Sequence, residues 1–162
     1  MKQYLILMTL LTMTNFSMAK DTNKVAAVLD ALHSAASKAD SDTYFNLFAV
    51  DAIFIGTDAG EFWTLEQFKS YTMPYFSKGK GWTYVPKNRD IKFSYSGDVA
   101  WFHEILISGS YGTTRGTGVL VKSEDAEWKI AQYHLTIPIP NDLAKDFADK
   151  IKAYESKVVT DK

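Results

Sequence analysis

The chain has no cysteine, so no disulfide can staple it and no lipid can be attached through a thiol. It has only three histidines (His33, His103 and His134), which lack the close spacing of zinc sites, and no HExxH segment occurs. No serine sits in a nucleophile motif. The glycine-containing stretch Ser77 to Gly81 (SKGKG) does not join a strand to a helix as a phosphate loop would, and reads as a flexible turn. Neither sign of charge dominates: 18 basic and 19 acidic residues give a formal charge of -1, without the basic patch that a phosphate backbone demands. These shortages argue against a metal, an organic cofactor or a nucleic acid as partner, and leave packing to hold the fold.

The most conspicuous long apolar run is at the start. Lys2 precedes the largely apolar Tyr4 to Met13, and Ser17-Met18-Ala19 then presents small residues ahead of Lys20-Asp21. This layout predicts a secretory signal peptide over residues 1–19, cut between Ala19 and Lys20. The mature protein is then expected in the periplasm or outside the cell. The run is short for a permanent span, so no stable membrane anchor is expected. Cleavage would remove Lys2 and leave a formal charge of about -2.

The remaining chain suits one core. Val25, Val28, Leu29, Leu32, Ala35, Ala36 and Ala39 recur at helical spacing over Asn23 to Ala39, with His33 beside the stripe. A short helix is predicted at Thr43 to Phe48 and a strand at Ala52 to Gly56. Thr64 and Gln67 form a capping-box pattern for a third helix, which Pro74 should kink or end. The period then becomes two. Strands are expected at Trp82 to Val85, Ile91 to Tyr95, Val99 to Ile107, Thr113 to Lys122 and Trp128 to Ile137, joined by turns suited to antiparallel hairpins. After Pro138 and Pro140 comes a terminal helix whose stripe (Ala144, Phe147, Ala148, Ile151, Tyr154 and Val158) is expected to dock on the sheet or on a partner subunit. Helices followed by strands is an α+β order.

Five segments carry a resemblance: GEFWTLEQF, MPYFSKGKGWTYVPKNRDI, VAWFHEIL, RGTGVLV and WKIAQYHLTIPIPN. Together they resemble the SnoaL-like domains of the nuclear-transport-factor-2-like (NTF2-like) superfamily, from about Val25 to Asn141. The resemblance implies a ketosteroid-isomerase-like cone: N-terminal helices packed against a curved antiparallel sheet, here with an extra C-terminal helix. The expected organisation is residues 1–19 as leader, 20–141 as the domain and 142–162 as the helix and tail. The resemblance does not fix an activity, because the superfamily includes isomerases, cyclases, dehydratases and binding modules. It implies a cavity, and often a homodimer. His103 and His134 stand where similar sequences often carry an acidic residue and an asparagine.

The candidate residues follow. His134, His103 and Asp58 are the acid–base candidates, since an imidazole titrates near neutral pH and suits proton abstraction beside a carbonyl. Alternation puts His103 on the face opposite Glu104, and puts Trp128, Ile130, Gln132 and His134 on one face together. Trp63, Tyr84, Trp101, Tyr111, Arg115, Trp128 and Gln132 are the candidates for ligand contact. Arg115 could pair with Glu104 across the sheet or grip an anionic group. Each has an ordinary structural account: tyrosines and tryptophans pack, Asp58 stabilises a turn, and histidines at a core edge bond to backbone. The favoured reading is a secreted domain that binds a small, partly apolar ligand. The alternatives are a cofactor-free isomerase, lyase or cyclase using a pocket histidine or carboxylate, and a structural homodimerisation module.

Overall fold

The computed structural model describes residues 21–160; the leader reading lies outside the described residues. Helix α1 occupies residues 21–38 and buries Val25, Leu29, Leu32, Ala35 and Ala36. It stops at Ala39, whose φ of 55° puts it in the left-handed region, while Asp40 N–H donates back to Ala35 O at 2.9 Å. That is a Schellman-type end built without the usual glycine. The small residues there allow close approach, since a Cβ on Gly81 would run into the Ala36 carbonyl.

Asp40 caps α2 (Ser41–Asn46) by accepting from Thr43 N–H at 3.1 Å. Strands β1 (Phe48–Ile55) and β2 (Phe62–Thr64) follow, then α3 (Leu65–Phe76), β3 (Tyr84–Phe93), β4 (Val99–Ser108), β5 (Gly112–Lys122), β6 (Trp128–Thr136) and α4 (Asn141–Thr160). The capping box is present: Gln67 N–H donates to Thr64 Oγ1 at 3.3 Å, and Thr64 N–H donates to Gln67 Oε1 at 2.9 Å. Pro74 sits in the last turn of α3, which ends two residues later. The strands expected at Trp82 and Ile91 are one strand, β3, kept continuous by a register shift between Pro86 and Asn88.

The strands form one sheet in the order β2-β1-β6-β5-β4-β3. Two points of the expected architecture are corrected. The sheet is mixed, because β1 runs parallel to β6, pairing Ile53 with Gln132 and Ile55 with His134. It is also open, with β2 and β3 as free edges, and is not an antiparallel sheet curved into a cone. The long connection from β1 back to β6 permits the parallel pairing; the hairpin-length turns that suggested a purely antiparallel sheet govern only β3 to β6.

The inner face carries the core. Tyr44, Phe48, Phe54, Phe68, Phe102, Leu106, Leu120, Ile130 and Tyr133 are buried there with the α1 stripe. Burying a side chain such as Phe68 contributes about 1.5–3 kcal/mol. The outer face is half open, with Trp101 47% exposed. Helix α4 does not dock on the sheet: Leu143, Phe147, Ile151, Tyr154 and Val158 are all exposed. Among the described residues no helix is long and apolar enough to cross a membrane.

Candidate functional site

Between α1, α3 and the inner face of the sheet lies a cavity of about 490 Å³, in the range of small-molecule sites. One wall is a ladder of aromatic rings. Tyr133 stacks on Phe54 at 5.6 Å, Phe54 on Phe68 at 3.7 Å, Phe68 on Trp63 at 5.8 Å, and Trp63 on Tyr71 at 4.8 Å. The ladder runs from the most buried end of the pocket to its rim. Tyr44, Trp82, Tyr84 and Tyr111 contribute further lining, with Ser108, Ser110, Thr57 and Thr83 as hydroxyl-bearing neighbours.

Behind the buried end lies a charged network that reaches the lining through His33 and Tyr133. Glu104 is fully buried on β4, with Phe102 and Leu106 two residues to either side on the same face. Its Oε1 lies 2.7 Å from His33 Nε2 and accepts from the Tyr133 hydroxyl at 3.2 Å. Its Oε2 accepts from Arg89 Nε at 2.8 Å. Arg89 also donates to Asp30 Oδ1 at 2.8 Å and to Ala26 O at 3.1 Å, so the network ties α1 to β3, β4 and β6. Burial alone would raise the Glu104 carboxyl; the hydrogen bond and charge of His33, with those of Arg89, outweigh it and hold the group below its ordinary value. Glu104 is therefore a carboxylate, and His33 Nε2 must carry the proton it donates. In a neutral ring Nδ1 is then left as an acceptor. Burial first, and the Glu104 charge second, push the Tyr133 hydroxyl well above its usual range, so Tyr133 stays a neutral donor. Room for this meeting comes from Gly116, opposite Glu104 on β5, where a Cβ would strike the Tyr133 hydroxyl.

Three of the sequence candidates line this pocket: Trp63, Tyr84 and Tyr111. Asp58 is exposed in the turn before β2, where its Oδ1 accepts from Gly60 N–H at 2.8 Å. His103 and His134 lie on the outer face, in one row with Thr117 between them: His103 pairs with Thr117, and Thr117 with His134. The sheet thus aligns the two histidines, but on the side away from the cavity. Trp101, Arg115 and Gln132 are on that face as well, and it is Arg89, not Arg115, that meets Glu104. Trp128 is buried elsewhere, with Phe93 at 5.7 Å and Lys122 Nζ 4.9 Å above its ring. It does not share a face with His134, because a bulge between Val119 and Leu120 pairs Gln132 and Ile130 with successive residues of β5 and shifts the alternation of β6.

His33, Glu104 and Arg89 are not among the sequence candidates. The signal for Glu104 was available, since a carboxylate in phase with Ala100, Phe102 and Leu106 must find partners. His33 follows Leu29 by four residues and so lies on the buried side of α1.

The model of the SnoaL-like domain matches residues 25–140. The chain belongs to this family. Solved structures share the fold of this SnoaL-like protein at low identity. One is a nuclear-transport-factor-2-like protein of unknown function from Pseudomonas putida KT2440, with 13% identity and a TM-score of 0.62 over 76% of this chain and 90% of that one. Another is a candidate scytalone dehydratase from Novosphingobium aromaticivorans DSM 12444, with 12% identity and a TM-score of 0.66 over 77% and 89%. A third, of unknown function and described as having a cystatin-like fold, comes from Nostoc punctiforme PCC 73102, with 15% identity and a TM-score of 0.60 over 74% and 92%. Identities this low carry the fold alone. No curated protein matches the chain.

Proposed function

We propose that this SnoaL-like protein binds a small, partly apolar molecule in the inner pocket. The observation that carries the reading is the aromatic ladder along one wall of a cavity of about 490 Å³. A flat apolar body would lie along Phe54 and Trp63, with its polar end toward the hydroxyls of Tyr84 and Ser108. Two tryptophans, Trp63 and Trp82, line the space and give it a fluorescence signal. Titration with a panel of small aromatic compounds should quench that signal, and Trp63→Ala should weaken the binding. A panel that leaves both fluorescence and native mass unchanged refutes the reading.

A second reading rests on the His33–Glu104 pair. A buried carboxylate that fixes the tautomer of a pocket imidazole is an arrangement used for general acid–base chemistry without a cofactor. If such chemistry occurs, His33→Gln should abolish turnover of a bound ligand while leaving its binding in place. Equal turnover in the variant would eliminate this role.

Two further expectations are proposals of the same kind. Export rests on the leader pattern, and N-terminal sequencing of the exported protein should begin at Lys20. A homodimer rests on the exposed apolar side chains Trp101 and Ile107 on the outer sheet face. Light scattering that finds only a monomer at all concentrations would refute it.

A further inference from the structure

Helix α4 is left unpacked by the domain. Ala148 is half-buried, and every other residue from 141 to 158 is exposed. The helix is 20 residues long, about 30 Å. Helical stability in proteins comes mostly from packing an amphipathic face. This helix has such a face, and it stands in water: Phe147, Ile151, Tyr154 and Val158 are all exposed, Tyr154 to 70%. With Ala144 they recur at alternating intervals of three and four, the spacing of a coiled-coil seam. Ala144, Ile151 and Val158 take the a positions of the heptad, and Phe147 and Tyr154 the d positions. The β-branched residues at a suit a parallel pair of helices.

The flanking charges agree with that orientation. Lys150 falls at g and Glu155 at e. In a parallel pair each g residue faces the e residue five positions further along the other helix, so Lys150 of each copy meets Glu155 of the other. Leu143 at g meets Ala148 at e in the same way and widens the apolar seam. An antiparallel pair would set g against g, bringing lysine beside lysine. Among the described residues neither Lys150 nor Glu155 takes part in a salt bridge; the Lys150 Nζ lies 5.6 Å over the Phe147 ring. Lys145 and Asp149, at the outward b and f positions, pair with each other at 2.7 Å. From this pattern we propose that α4 pairs with α4 of a second copy of this chain as a parallel two-stranded coiled coil. This contact uses a different surface from the sheet-face dimer and does not rest on it.

Sedimentation equilibrium of the protein as its own cell processes it measures the association. A monomer–dimer equilibrium is expected, and Ile151→Asp should abolish it. Lys150→Glu and Glu155→Lys each turn two attractions into two repulsions, and each should weaken the dimer about tenfold. The double variant exchanges the signs and should recover the original constant to within about twofold. Such recovery cannot arise inside one helix, because residues five apart do not face each other. The chain has no cysteine, so Ala144→Cys supplies a single thiol. At an a position of a parallel pair it should cross-link to its equivalent under mild oxidation, whereas antiparallel or helix-on-sheet packing holds the two thiols apart. A double variant that binds no better than the single ones, or an Ala144→Cys protein that stays uncross-linked, overturns the coiled coil. A dimer that survives Ile151→Asp also overturns it and assigns association to the outer sheet face. A monomer at every concentration overturns both contacts.

Discussion

His103 and Glu104 are neighbours in the chain, yet they belong to the two different surfaces of the sheet. Glu104 faces inward, has no exposed area and is held by three partners; His103 faces outward and is exposed. The inner face uses its polar groups as fixed parts of a wall, each defined by the others. The outer face carries His103, Thr117 and His134 in a row, with His103 exposed and Thr117 and His134 half-buried, on the side away from the cavity. Residue type alone therefore does not make a site; enclosure does.

The comparison breaks most visibly at Glu104. Replacing it with alanine leaves Arg89 and His33 buried without their acceptor and should cost about 3–5 kcal/mol, measured by urea denaturation. A loss below 1 kcal/mol would mean that the network is not a structural clamp. The pH dependence sharpens the same point. Because the folded carboxyl is held below its ordinary value of 4.5, its contribution is present above that value and is lost as the pH falls through it toward the folded value. Wild-type stability should therefore drop on acidification below the usual carboxylate range, and Glu104→Gln should flatten that slope. Gly116→Ala comes next: overpacking against the Tyr133 hydroxyl should cost about 1–3 kcal/mol in the same assay. At the other end, His103→Ala and His134→Ala should each change stability by less than about 0.5 kcal/mol and leave probe binding unaltered. A large effect at either one would erase the distinction between the faces.

The sequence made the elements legible because periodicity is local. The α1 stripe, the capping box at Thr64 and the antiparallel run from β3 to β6 all follow from neighbours a few residues apart. The family resemblance, carried by Val25 to Asn141, agrees with the domain match over residues 25–140. The parallel pairing of β1 with β6 was not legible, since it joins distant segments and depends on what lies between them. The bulge on β6 was also hidden: strict alternation groups Trp128 with His134, whereas a single extra residue puts them on opposite faces. Trp63, Tyr84 and Tyr111 were reachable as aromatics near turns and strand starts. The buried centre was not assembled, because its four members come from α1, β3, β4 and β6, and only the register brings them together.

The position of β1 also bears on how the chain folds. The β3–β6 meander can form by successive hairpin closures, each over a short loop. By contrast, β1 must find β6 after nearly the whole domain has been made, and β2 can then join only through β1. Closing a long loop costs entropy before any contact offsets it, so this parallel pairing is expected to be slower than the hairpin closures. Phe54, which belongs to β1, supplies a rung of the aromatic ladder. On this topology the pocket wall is expected to be completed late, so that the capacity to hold a ligand depends on the pairing with the longest loop to close.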